Sequence, residues 1–111
     1  MVSPLLAQEV SQLQADFCFA LTDPTRLLIL YALHDSPRNV SELTAELGIS
    51  QPATSRHLKV LRDRGLAHTT RQGTTITYHL SDPRVIQALD LLRTVMRERI
   101  AYRASLVDEI S

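Results

Sequence analysis

The stretch Ser41 to Leu66, SELTAELGISQPATSRHLKVLRDRGL, most constrains what this chain can become. It reads as two short helices around a tight turn at Gly48, Ile49 and Ser50, the second helix starting polar and ending basic. Helix, three-residue turn, helix is a way of offering the second helix to the DNA major groove.

The flanking signals extend this into a mainly α fold with one small β-hairpin. Ser3 and Pro4 supply a cap and a first-turn proline for a helix to about Ala20. Leu6, Val10, Leu13, Phe17 and Leu21 recur along it at helical spacing. Asp23 and Pro24 repeat the cap signal and open a second helix to about His34. Its run Leu27, Leu28, Ile29, Leu30 predicts a central core helix, apolar all round. Ser41 is expected to cap the third helix, which stops at Gly48, a natural left-handed C′ residue. Ser50 caps the fourth, with Pro52 tolerated in its first turn, and Gly65 ends it. A hairpin follows, with arms Leu66 to Arg71 and Thr74 to Leu80 around a turn at Gln72 and Gly73. Ser81, Asp82 and Pro83 then cap a last helix to about Val107.

On that last helix Val85, Ile86, Leu89, Leu91, Leu92, Val95, Met96, Ile100, Tyr102, Leu106 and Val107 cover roughly 200° of circumference, wider than the usual stripe of about 100°. One face packs on its own subunit, and the surplus calls for a partner. The expected architecture is a winged helix-turn-helix of five helices, dimerised through the first and last. It is a single domain over 1–111, with dimerisation helices at 1–21 and 83–111, the helix-turn-helix at 41–64 and the wing hairpin at 66–80. At 111 residues and 44% apolar composition the chain supports one core. No apolar run approaches the ~18 residues that span a bilayer, the start lacks a signal-peptide pattern, and a single cysteine points to a reducing cytoplasm.

The formal net charge is zero, but its distribution is uneven. Residues 1–50 carry two cations against six anions, and residues 51–80 carry Arg56, Lys59, Arg62, Arg64 and Arg71 against Asp63 alone. The positive field is concentrated on the helix-turn-helix and hairpin, the footprint expected for nucleic acid. On the fourth helix Thr54, His57, Leu58 and Leu61 cluster on one side, where Leu58 and Leu61 anchor it. Pro52, Ser55, Arg56, Lys59 and Asp63 lie opposite. Gln51 and Ser55 sit in the N-terminal part that reaches base edges. Gln pairs bidentately with adenine and Arg with guanine. Lys59, Arg62 and Arg64 suit the phosphate backbone. The third helix, through Ser41 and Thr44, braces the fourth. His57 borders the core and reads as a packed or hydrogen-bonded residue before a base reader. Arg71, with Gly73 and Thr74 at the hairpin tip, suits a wing approaching phosphate or the minor groove.

With these residues in view, LTDPTRLLIL, VSELTAELGISQPATSRHLKVLRDRGL and RQGTTITYHL resemble the ArsR/SmtB family of bacterial winged-helix repressors, over about residues 15–82. The resemblance implies a homodimer that binds an inverted repeat in its own promoter and leaves it when an inducer binds. It assigns DNA-facing roles to Gln51, Ser55, Arg56 and His57, with Arg71 and Gly73 in the wing; Pro52 and Thr54 are counted with these helix residues, although Thr54 stands where Val or Ile is usual. The family's Cys-x-Cys positions are Asn39 and Ser41 here. Its last-helix ligand positions keep Asp82 and Glu98, but Arg84 and Val95 replace the histidines. A cation beside two ligands argues against a divalent metal, so the sequence predicts neither a metal site nor a cofactor, and the inducer is unknown.

Cys18, between Phe17 and Phe19, is expected to be a buried small apolar residue, with a thiol- or redox-responsive repressor as the alternative. A winged-helix protein-interaction module without DNA binding is the other alternative. An enzyme is not expected, since no nucleophile elbow, phosphate loop or paired-carboxylate motif surrounds the Ser, His and Asp residues.

Overall fold

The computed structural model of the chain describes residues 1–110. In order these form α1 (Pro4–Leu13), a π-helical turn (Gln14–Cys18), α2 (Pro24–Asp35), α3 (Val40–Leu47), α4 (Gln51–Asp63), β1 (Ala67–Gln72), β2 (Thr75–Leu80) and α5 (Arg84–Ile110). They divide into two compact units, Met1–Ser81 and the stretch from Asp82 onward.

In the first unit, Ser3 Oγ accepts the Leu6 N–H at 3.1 Å and starts α1. The uninterrupted helix expected to Ala20 is instead widened at Gln14–Cys18, where the Phe19 N–H bonds to the Gln14 carbonyl five residues back. Helix then resumes through Phe19 and Ala20. Asp23 Oδ1 accepts the N–H groups of Thr25 (2.8 Å) and Arg26 (3.4 Å) and opens α2. Burial raises the Asp23 pKa, but these two N–H bonds and the charge of Arg26 hold it below the ordinary value.

The core gathers Ile29, Leu30 and Leu33 of α2 with Leu43, Leu58, Leu61 and Leu66. Elements α3, α4 and β2 pack against α2 but do not enclose it, and Leu28 remains 57% exposed. The expectation of burial on every side is therefore corrected.

A second correction concerns the start of α3. Its cap is Asn39 rather than Ser41. Asn39 Oδ1 accepts the Glu42 N–H at 2.8 Å while Glu42 Oε1 accepts the Asn39 N–H at 3.1 Å. This reciprocal box satisfies two otherwise unpaired donors. At the far end Gly48 takes φ 67°, a left-handed conformation that glycine reaches without a Cβ penalty. Ser50 then caps α4, accepting the Ala53 N–H at 3.2 Å.

The two strands form one antiparallel pair in which Gln72 faces Thr75 and Ala67 faces Leu80. The loop is therefore Gly73 and Thr74, one residue later than expected. Gly73 has φ 61°, and among the described residues no non-glycine residue has positive φ. Positive φ at the first loop residue alone is the pattern of a type II′ turn, which matches strand twist. A third segment joins the root of the hairpin. Arg38 and Tyr78 exchange backbone hydrogen bonds, 3.2 Å from the Arg38 N–H and 2.8 Å from the Tyr78 N–H.

In the second unit, Asp82 Oδ1 accepts the Arg84 N–H at 2.9 Å at the start of α5. Leu91, Leu92, Val95, Met96, Ile100, Tyr102, Leu106 and Val107 are exposed along that helix. No helix among the described residues is long and apolar enough to cross a membrane.

Candidate nucleic-acid interface

Helix α4 is anchored by one face. Leu58 and Leu61 are fully buried, and so is Thr54. Thr54 Oγ1 accepts from Thr44 Oγ1 at 2.9 Å and donates to the Ser50 carbonyl at 3.0 Å. Its hydroxyl is thus committed inside the fold, which corrects its inclusion among DNA-facing residues. The brace expected from Thr44 is this bond.

The opposite face of α4 is exposed along its length, with Gln51, Pro52, Ser55, Arg56, Lys59 and Arg62 accessible. Ser55 and Arg56 lie in the N-terminal half, together with Gln51 at its first position. Lys59 donates to Asp63 Oδ2 at 2.8 Å, a bond that holds the Asp63 carboxyl below its usual value. The Lys59 side chain is still 70% exposed. Among the described residues Arg56 and Arg62 form no ion pair. A helix presenting an amide, a hydroxyl and unpaired guanidinium groups can donate to and accept from base edges and phosphate oxygens.

His57 is half-buried, with Nδ1 3.4 Å from Arg26 Nη1. The sequence singled out His57 correctly as a residue bordering the core, but missed Arg26 as its partner. Arg64, assigned with Lys59 and Arg62 to the phosphate backbone, turns away from that face. Its Nη1 donates to the Ala15 carbonyl at 3.0 Å, and its guanidinium lies 5.0 Å from the Phe19 ring centroid.

At the hairpin, Arg71, Gly73 and Thr74 are exposed at the tip. Arg71 Nε donates to the Gly73 carbonyl at 3.1 Å, drawing the guanidinium over the turn. Nearer the root, His68 and His79 face each other across the strands with ring centroids 5.0 Å apart.

A buried, hydrogen-bonded brace on one side of α4, an exposed basic side on the other and a two-stranded hairpin directly after it make a winged helix-turn-helix. The sequence profile of the bacterial regulatory protein arsR family matches residues 23–69. The HTH-type transcriptional regulator NmtR of Mycobacterium tuberculosis is 41% identical over 88 residues, which span 79% of this chain and 72% of that protein. The chain belongs to the arsR family. A second relative in this comparison, the biofilm growth-associated repressor of Xylella fastidiosa, is 33% identical over 81 residues, 73% of this chain and 71% of its own. Among solved structures, a homodimeric winged helix-turn-helix DNA-binding domain from Mycobacterium bovis superposes with a TM-score of 0.76 at 27% identity, covering 90% of this chain and 92% of that one.

The sensing side of this arsR-family chain differs from its DNA side. Asp82 is engaged by Arg84, whose Nη2 reaches Oδ2 at 2.6 Å. That bond and the Arg84 backbone N–H lower the Asp82 pKa to about 2. Among the described residues no group of three or more His, Cys, Asp or Glu gathers within one chain. Cys18 is a free cysteine and exposed within the single chain, on the segment expected to lie at the dimer interface. The π-helical turn places it outside the core, where Ala20 alone of its neighbours is buried.

Proposed function

We propose that this protein is a homodimeric repressor that acts in the cytoplasm, binds an inverted-repeat operator in its own promoter and is released by an inducer. The observation that carries the reading is the exposed face of α4, where Gln51, Ser55 and Arg56 occupy the N-terminal half and Lys59 and Arg62 follow. In the proposed complex Gln51, Ser55 and Arg56 meet base edges, Pro52 packs against the duplex, and His57 reaches in from the border of the core. Lys59 and Arg62 contact phosphates, while Arg71, Gly73 and Thr74 enter the adjacent groove.

Two supports favour a dimer. Leu6, Val10 and Leu13 of α1 and Phe17 of the π-helical turn are exposed, as is the apolar face of α5, and the Mycobacterium bovis domain is homodimeric. A repressive role is supported by the Xylella relative, itself a repressor.

Retardation of the DNA upstream of its own gene tests the reading. Arg56→Ala should weaken specific binding by about 1–3 kcal/mol and relax preference at one base pair. Lys59→Ala should instead lower the salt slope by about 0.9. Neither change having an effect would remove α4 as the reading head. The exposed Cys18 thiol carries a second reading, in which oxidation releases the operator. Release by peroxide that is absent in Cys18→Ser is its test.

A further inference from the structure

The recognition helix α4 is tied to the segment Gln14–Ala20 at two points, neither on its exposed basic face. At its C-terminal end, Arg64 Nη1 donates to the Ala15 carbonyl at 3.0 Å and lies 3.6 Å from Asp16 Oδ1. The same guanidinium stands over Phe19, 5.0 Å from the ring centroid. At mid-length, His57 Nδ1 lies 3.4 Å from Arg26 Nη1. The rest of that guanidinium is anchored on the same segment. Arg26 Nε donates to the Ala20 carbonyl at 2.7 Å and Nη2 to the Phe19 carbonyl at 3.3 Å. Arginine carries no acceptor, so His57 accepts through Nδ1, which leaves the ring proton on Nε2.

The segment that receives these bonds contains the π-helical turn. Such a turn holds one residue more than an α turn, and single π turns occur often at functional sites. Restoring α geometry would rotate the chain on one side of it by about 100° relative to the other. The carbonyls of Ala15, Phe19 and Ala20 could not then all meet two fixed guanidinium groups. The fork of Arg suits this arrangement, because its planar guanidinium spreads donors over several spaced acceptors while lying against a ring face, whereas lysine offers one compact point charge.

We propose that Arg26 and Arg64 are positioning residues that key recognition helix α4 to the π-helical turn, so that the geometry of Gln14–Ala20 sets operator affinity. The proposal rests on the DNA-binding reading above. It removes Arg64 from the phosphate contacts and gives Arg26, which lies outside the helix-turn-helix, a part in DNA binding. It also makes the segment next to the exposed apolar face of α1 a place from which affinity can be altered.

The test is operator affinity across a salt series for the full chain and its Arg64→Ala, Arg64→Lys, Arg26→Lys and Phe19→Leu variants, each checked by thermal melting. Positioning predicts that both Arg64 changes and Arg26→Lys weaken binding about threefold to tenfold, with the salt slope unchanged. Lysine at 64 should not rescue. The double variant Phe19→Leu/Arg64→Lys should bind no worse than Arg64→Lys alone, because the two residues act through one contact. A slope that falls by about 0.9 in Arg64→Ala and recovers in Arg64→Lys makes Arg64 a phosphate contact and overturns the proposal. Unchanged affinity in Arg64→Lys and Arg26→Lys overturns it equally. If Arg64→Ala fails to fold, Phe19→Leu and Arg64→Lys decide alone. A wild-type chain that retards no upstream DNA overturns the DNA-binding reading and this one together, whereas a binding wild type with indifferent variants overturns only this one.

Discussion

Thr54 shares the anchored side of α4 with Leu58 and Leu61, and its side chain belongs to the interior. Its hydroxyl joins Thr44 to the Ser50 carbonyl and so locks α3 to the start of α4. Thr54→Val keeps the shape and deletes the oxygen. It should lower stability by about 1–2 kcal/mol in urea denaturation, because Thr44 loses its acceptor, while base preference on the operator stays as in the wild type. An unchanged urea midpoint would show that the bond contributes nothing. Helical spacing alone separated Leu58 and Leu61 from Ser55, Arg56 and Lys59, because that distinction depends only on angle around one helix. It placed Thr54 beside Leu58 and Leu61 and offered Thr44 as a brace, but could not join the two hydroxyls, since a contact between elements has no signature in the spacing of either one. Arg26 and Arg64 were opaque for the same reason. Their partners are carbonyls of Ala15, Phe19 and Ala20, and a carbonyl has no signature in side-chain pattern.

Capping decides where two elements begin. Asn39→Ala removes half of the α3 capping box and should cost about 0.5–2 kcal/mol. Ser41→Ala, at an exposed position inside the helix, should change stability by less than about 0.5 kcal/mol. Equal losses in thermal melts would return the cap to Ser41. Ser41 was the expected cap; Asn39, two residues earlier, has the same capping chemistry, and Glu42 at the third helical position decides for it. The widened turn in the first helix was not legible at all, because its apolar spacing continues smoothly through Phe17. At the start of α5, Arg84 holds the Asp82 carboxyl at about 2 against an ordinary 3.8. A depressed carboxylate stabilises the fold above its unfolded pKa, and that contribution is lost as pH falls through the folded value. Wild type and Asp82→Asn should therefore differ most above about pH 4 and converge as pH approaches about 2. Melting curves that keep a constant gap down to that pH would contradict the role given to this pair.

The exposed apolar residues of α1 and α5 are the largest feature that the single chain leaves unused. Leu92 and Val95 are 65% and 48% exposed, part of the apolar arc whose surplus was expected to call for a partner. If they meet a second copy, Leu92→Glu should shift the sedimenting species toward monomer and abolish retardation of an inverted repeat. A monomeric wild type would end the dimer reading. The surplus apolar arc was legible because a wheel counts surface without needing to know its occupant; the inducer of the proposed repressor was not, since Asp82 and Glu98 stand without the histidines the family resemblance pairs with them. The bridge between Arg38 and Tyr78 has a mechanical result of its own. It clamps the root of the hairpin to the loop before α3, while among the described residues no third strand pairs with the hairpin from Thr70 and Thr77 outward. Bending is therefore confined to the outer half, and amide exchange should be slow at Tyr78 and fast at the tip. A hairpin stiff at the base and pliant at the end can follow grooves of different width without transmitting that strain to the helices behind it.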